Sequence, residues 1–114
     1  MSRVYLEDIS REFVGDGPFK LRVSKTGDVE LSYFEVFDRT TGEYDSYYGI
    51  FTREEYRRGL RELRDKNQCS IQGNNCQLEI TKKNSHFEIY FSTPNKSIAI
   101  TQKNIIDLLY LAIN

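Results

Sequence analysis

Residues 33–63 constrain the fold most, because they join an aromatic hairpin to a well-capped helix. Seven of the fifteen Phe and Tyr residues lie between positions 33 and 51. Thr52 and Glu55 have the spacing of a capping box, in which each side chain binds the other residue's backbone amide. Phe51 before the cap and Tyr56 after it make a hydrophobic staple. The sequence therefore predicts two strands followed directly by a helix that begins after Thr52.

The hairpin turn is predicted at residues 38–43, where Gly42 suits the left-handed position of a bulged turn. If Asp38 pairs with Glu43, one face of the hairpin is almost wholly apolar. That predicted core face comprises Val29, Leu31, Tyr33, Phe37, Tyr44, Tyr48 and Ile50, with Tyr33 opposite Tyr48 and Leu31 opposite Ile50. The other face carries Phe34 opposite Tyr47, and it is either buried as well or left for a partner. A slip of one residue would exchange the two faces.

The first 28 residues are predicted to form a helix and a strand. Tyr5, Ile9 and Phe13 recur every four residues, which favours a short N-terminal helix over residues 2–14. The glycine-rich segment 15–18 ends it. Residues 19–23 alternate between apolar and polar and predict a strand.

The second half of the chain repeats this organisation in plainer form. Strands are predicted near residues 69–72, 77–80, 86–91 and 97–100, and Thr101 is the expected cap of a final helix. The shared apolar face comprises Leu78, Ile80, Phe87, Ile89, Phe91, Ile98 and Ile100. We predict an α+β fold with antiparallel sheet or sheets from two β-β-β-α units, residues 1–66 and 67–114, within one domain of 114 residues. An offset of 49 residues relates the two predicted helix starts, and both a diverged duplication and the shared needs of strands and caps explain it.

Residues 105–113 are apolar nearly all round the predicted helix. Such a helix is either central to the fold or part of an interface. Central burial and a homodimer contact through residues 105–113 are both open at this point.

Composition places the chain among ordinary globular proteins, with 29% charged and 39% hydrophobic residues. The apolar run near the C-terminus is too short to span a membrane, and the N-terminus lacks the apolar region of a signal peptide. We therefore expect a cytoplasmic protein without a membrane partner. In that compartment Cys69 and Cys76 are expected to be reduced, the alternative being a disulfide across one hairpin.

No group of residues predicts catalysis. The lone histidine, His86, begins a strand and lies on its polar face beside Glu88 and Tyr90. Two cysteines are too few for a zinc site, and no glycine-rich phosphate loop precedes a helix. We expect no enzymatic activity, no cofactor and no metal.

The favoured function is a protein-binding module or inhibitor. The first half of the chain is acidic, with 12 Asp and Glu against 8 Lys and Arg over residues 1–57. Aromatic anchors within a polar rim are typical of protein interfaces. Small acidic chains without motifs include inhibitors of the anti-defence and immunity kinds carried by phages and mobile elements, and we extend the hypothesis to that type. The predicted partner-binding residues are Phe34, Val36, Asp38, Glu43, Asp45 and Tyr47.

The alternative function is nucleic-acid binding through a stripe of helix arginines and nearby lysines. The predicted residues are Arg53, Arg57, Arg61, Arg64, Lys82 and Lys83. The predicted order helix, three strands, helix over residues 2–66 resembles that of double-stranded RNA-binding domains, in topology only. Those domains carry lysines at the start of the last helix, where this chain has Glu54 and Glu55.

Overall fold

The structure is a computed structural model that describes residues 6–14, 19–94, 96–102 and 105–113. At 34–38, 43–46, 96, 102, 105, 106 and 108 it describes the backbone alone. The chain forms two four-stranded antiparallel sheets, each followed by a helix. In chain order the elements are β1 Ile9–Val14, β2 Phe19–Ser24, β3 Val29–Asp38, β4 Glu43–Phe51, α1 Arg53–Lys66, β5 Gln68–Gly73, β6 Cys76–Lys82, β7 Phe87–Thr93, β8 Lys96–Gln102 and α2 Ile105–Leu111. The predicted α+β class and antiparallel sheets are confirmed.

Both sheets are simple meanders, with strand orders β1-β2-β3-β4 and β5-β6-β7-β8. A single core joins them, because β4 contacts β5, β6 and β7 of the second sheet. The main buried side chains of this core are Leu21, Val23, Leu31, Phe51, Tyr56, Leu60, Ile71, Leu78, Ile80, Ile89, Phe91 and Leu109. The second sheet buries the apolar face predicted for it, with Phe87 and Ile98 packed at its margin.

The predicted N-terminal helix is wrong where the structure describes it. Residues 9–14 form strand β1, which pairs with β2 and places Phe13 opposite Leu21. Ile9 and Phe13 are four positions apart, a spacing that fits one face of a strand as well as one face of a helix. The pairing of residues 9–14 with β2 shows that they form a strand. Residues 2–5 and 15–18 of the prediction lie outside the described residues.

The register of β3 and β4 agrees with the prediction only at the turn. Asp38 pairs with Glu43 and Phe37 with Tyr44, as predicted, but a register shift follows between Phe34 and Phe37. Because one extra residue of β3 is inserted there, the sides of β4 are exchanged relative to the prediction. The observed pairs are Tyr33 with Tyr47 and Leu31 with Gly49, so the predicted pairs Tyr33 with Tyr48 and Leu31 with Ile50 are wrong.

Helix α1 follows the sequence signals closely. The Thr52 hydroxyl accepts a hydrogen bond from the Glu55 amide at 3.3 Å, and the Phe51 and Tyr56 rings lie 6.3 Å apart. The predicted stripe of Tyr56, Leu60 and Leu63 is buried. Asn67 ends the helix in a left-handed conformation and donates its amide to the Leu63 carbonyl.

The second helix starts later than predicted. Strand β8 continues through Thr101 to Gln102, so Thr101 is a strand residue and the offset of 49 residues between helix starts is wrong. Leu109 of α2 is fully buried, whereas Leu111 is 43% exposed. The Tyr56 hydroxyl donates to the Leu109 carbonyl, and the Tyr110 hydroxyl donates to the Leu60 carbonyl at 3.0 Å. One side of α2 is therefore central, and a homodimer through residues 105–113 stays a prediction.

In the described residues each half of the chain contains four strands and a helix, because β1 and β5 add a strand to each predicted three-strand unit, and of these two only the strand near residues 69–72 was predicted. The two halves therefore share their order of elements. Their origin by duplication stays a prediction.

Gly59 provides a stability test of the packing between α1 and β5. A Cβ there would overlap with the Ile71 Cγ1 atom and lie 2.6 Å from its Cδ1. Gly59→Ala gains about 1 kcal/mol of helix propensity, but overpacking of a core costs about 1–3 kcal/mol. We expect a net loss of up to about 2 kcal/mol in urea denaturation. The loss should shrink in an Ile71→Ala background.

The control is Arg61→Ala on the exposed side of α1, which should change the free energy of unfolding by less than about 0.5 kcal/mol. A Gly59→Ala variant more stable than the parent would contradict the close approach of α1 to β5.

Candidate functional site

The β3–β4 hairpin extends beyond the rest of its sheet. Strand β2 is paired with β3 as far as Phe19 and Tyr33, and the strand pairing described for residues 34–46 joins β3 to β4. We call residues 34–46 the arm. At about 3.3 Å per residue it projects roughly 15 Å past Tyr33. Residues 39–42 at its tip are exposed.

The arm combines acidic and aromatic residues. Its sequence contains four acidic residues and one basic residue, Arg39, together with two Phe and one Tyr. Five of the six predicted partner-binding residues belong to it: Phe34, Val36, Asp38, Glu43 and Asp45. Their side chains lie outside the described residues, so their assignment to a partner surface stays a prediction.

The sixth predicted partner-binding residue, Tyr47, is not on the surface. Its side chain is 6% exposed, and its ring lies 6.2 Å from Tyr33 and 6.3 Å from Phe91. Its hydroxyl donates to the Ser97 carbonyl at 3.2 Å. The bulge in β3 turns Tyr47 towards the core, so this residue is structural.

The exchange of faces places Tyr48 over a buried acid that the sequence analysis missed. The Tyr48 hydroxyl donates to Glu30 Oε2 at 2.8 Å, and Arg22 Nη1 lies 3.5 Å from Glu30 Oε1. Glu30 is only 2% exposed. A buried carboxylate needs such partners, and three neighbouring strands supply this set. The pairing of Arg22 with Glu30 across β2 and β3 is the signal that could have identified it.

The predicted arginines of α1 form an exposed stripe along the helix. Arg53, Arg57, Arg61 and Arg64 recur at three or four residues and are all exposed. Lys82 and Lys83 are exposed as well, and the Lys82 amide donates to the carbonyl of Asn67, the residue that ends α1. The two lysines therefore lie beyond the C-terminal end of the stripe. All six predicted nucleic-acid-binding residues are exposed.

The opposite end of this stripe opens into a cationic cleft. Arg53 and Arg57 line it together with Arg11 of β1 and Lys25 of the β2–β3 turn, and its volume is about 280 Å³. Hydroxyl side chains and the chain near the end of α2 complete the lining: Ser10, Ser24, Thr26 and Ala112. Arg11 and Lys25 were not predicted as site residues, since they come from separate elements and Arg11 was assigned to a helix.

The residues considered for catalysis lie apart from one another in the fold. His86 is half-buried, with Nε2 3.7 Å from Glu88 Oε1 and Nδ1 3.4 Å from the Ser85 hydroxyl. Cys69 and Cys76 are both buried and free, so the disulfide alternative is wrong. Among the described residues, no group of His, Cys, Asp and Glu could hold a metal ion.

Comparisons of this chain with protein-family models, curated proteins and solved structures find no match. Within the described ranges, no helix is long and apolar enough to cross a membrane.

The reactivity of the two cysteine thiols tests whether both are buried. Desolvation raises the pKa of each thiol from 9.0 to about 11. At pH 8 the reactive thiolate should therefore be about 100-fold scarcer than in the unfolded chain, and labelling by a disulfide reagent should be slower by at least that factor. Because the folded state favours the protonated thiols, it has its full stability below pH 9 and loses part of it as the pH rises towards 11.

The labelling rates of native and urea-unfolded protein are compared at pH 8. Single Cys69→Ala and Cys76→Ala variants assign the rates to each thiol. Native labelling as fast as that of the unfolded chain would contradict the burial of both cysteines.

Proposed function

We propose that this chain is a cytoplasmic, non-enzymatic protein-binding module that docks through its arm. The projection of residues 34–46 beyond the sheet carries the proposal. An isolated two-stranded hairpin is marginally stable in water, so an arm of this length gains stability when a partner covers it. Its aromatic residues are of the types enriched at the centres of interfaces.

The charge of the arm favours a partner with a basic surface. The arm carries a net charge of −3, whereas the whole chain carries −1. Asp38 and Glu43 are register partners at its end, and like charges placed opposite each other destabilise a hairpin. A concentration of negative charge that disfavours the hairpin itself is better explained by recognition than by folding.

A blocking role follows from the same charge. Functional surfaces that bind nucleic acid are basic, and an acidic arm would cover such a surface. We therefore propose an inhibitor of the anti-defence or immunity kind. The size of the chain and the acidity of the arm support this assignment.

Charge reversal of the arm tests the proposal. Glu43→Lys with Asp45→Lys reverses two charges in the arm, and Glu43→Lys also turns the like-charge pair with Asp38 into an attractive one. We expect the variant to fold and to lose its partner. The measurement is quantitative affinity capture from the native host with parent and variant as baits, followed by direct titration of the recovered protein.

Glu79→Lys with Glu88→Lys is the matched control, because it reverses two exposed acids on the second sheet, away from the arm. It should retain the partner with its affinity unchanged. Tyr47 is left intact in all baits, since it belongs to the core. A partner bound equally by the arm variant and the control would refute docking through the arm.

Nucleic-acid binding remains a second candidate because the predicted arginines and lysines are all exposed. The topological resemblance to double-stranded RNA-binding domains no longer supports it, since strand β1 occupies the place of the first helix. The acidic residues Glu54 and Glu55 still lie in the first turn of α1, where they repel phosphate.

A further inference from the structure

We infer that the cationic cleft between β1, the β2–β3 turn and α1 is a binding site for a phosphate group. This site is independent of the arm and of any protein that docks there. The cleft lies beside the start of β3, and the arm begins five residues after Val29, or about 15 Å further along the strand at the usual rise per residue.

The charges that line the cleft favour an anion. Arg11, Lys25, Arg53 and Arg57 contribute four positive charges. Asp28 lies next to them, but its Oδ1 accepts the Arg53 amide at 3.1 Å and its Oδ2 accepts the Thr26 hydroxyl at 3.4 Å. The first backbone amide of α1 therefore already donates to Asp28 and is not available to a ligand. The attraction for a ligand therefore comes from the cationic side chains of the lining.

Three contacts hold the lining in position. Gly27 has a φ of +92°, and a Cβ there would lie 2.8 Å from Arg53 Cδ, so the Arg53 side chain rests directly on the turn. Arg11 Nη2 donates to the Ala112 carbonyl at 3.2 Å. The Ser24 and Thr26 hydroxyls lie 2.9 Å apart. Because these groups are ordered before binding, less conformational entropy is lost on association.

The four positive charges of the lining suit a phosphate group, which carries up to about two negative charges at pH 7. Guanidinium groups bind phosphate oxygens in pairs of parallel hydrogen bonds. The volume of about 280 Å³ lies at the small end of ligand pockets. It accommodates a single phosphate group, which either belongs to a small phosphorylated molecule or is one phosphate of a nucleic-acid backbone.

Titration with inorganic phosphate tests the site. Amide chemical shifts of the labelled full chain are followed at constant ionic strength. We expect saturable changes at Ser24, Thr26, Gly27 and Arg53. Arg53→Gln with Arg57→Gln should weaken phosphate binding by at least about tenfold, because each removed guanidinium takes away charge-assisted hydrogen bonds.

Arg61→Gln with Arg64→Gln is the matched control, since it removes two arginines of the same stripe that do not line the cleft. It should change the affinity for phosphate by less than about twofold. All four arginines are exposed, and thermal unfolding verifies that both variants fold. Unsaturable shifts, or equal weakening by the two variants, would overturn the inference.

A single-stranded oligothymidylate then distinguishes the two sources of the phosphate group. Displacement of inorganic phosphate, with an affinity that falls steeply with salt, assigns the cleft to a nucleic-acid backbone. Persistence of the phosphate-bound shifts in excess oligothymidylate assigns it to a small phosphorylated molecule. Both outcomes retain the phosphate site.

Discussion

The extra residue between Phe34 and Phe37 in β3 decides which side of β4 faces the core. Side chains alternate between the two faces of a strand. A single inserted residue in β3 therefore exchanges the inward and outward faces of β4 beyond it. Tyr47, Gly49 and Phe51 therefore point towards the second sheet. A Cβ at Gly49 would overlap with the Cys76 Sγ atom, which means that only the shifted register allows β4 to approach β6 so closely.

The same bulge divides the hairpin into two parts with different roles. On one side of it, β3 and β4 belong to a four-stranded sheet and bury Leu31 and Tyr47. On the other side the described strand pairs join β3 to β4, and this part carries most of the acidic and aromatic residues that predicted binding. Bulges are common where a strand changes direction or leaves a sheet, and here the bulge lies at the boundary between core and arm.

Elements with strong local signals were predictable from the sequence. Helix α1 was specified by its cap and staple, and the second sheet by strict alternation of apolar residues. Strand β1 was not predictable, because the spacing of Ile9 and Phe13 fits both a helix and a strand. The cap assigned to Thr101 failed because pairing with β7 extends β8 past that residue. The bulge had no local signal beyond Gly49, a small residue in strand β4, where four of nine residues are aromatic.

The two candidate sites also differ in how far the sequence predicted them. The arm is contiguous in sequence, so composition alone indicated it. The cleft unites Arg11, Lys25, Arg53 and Arg57 from three separate parts of the chain, and only the tertiary structure brings them together. Its position at the far end of β3 from the arm gives the molecule one acidic and one basic extremity.

The register of β4 is tested most directly by a lysine scan across the bulge, with Tyr47→Lys and Tyr48→Lys compared by urea denaturation. Tyr47→Lys would bury an unpaired charge and should cost about 3–5 kcal/mol. Tyr48→Lys can extend to solvent or pair with Glu30, and it should cost less than about 1.5 kcal/mol. The reverse order of stabilities would show that the bulge is absent and that Tyr48 belongs to the core.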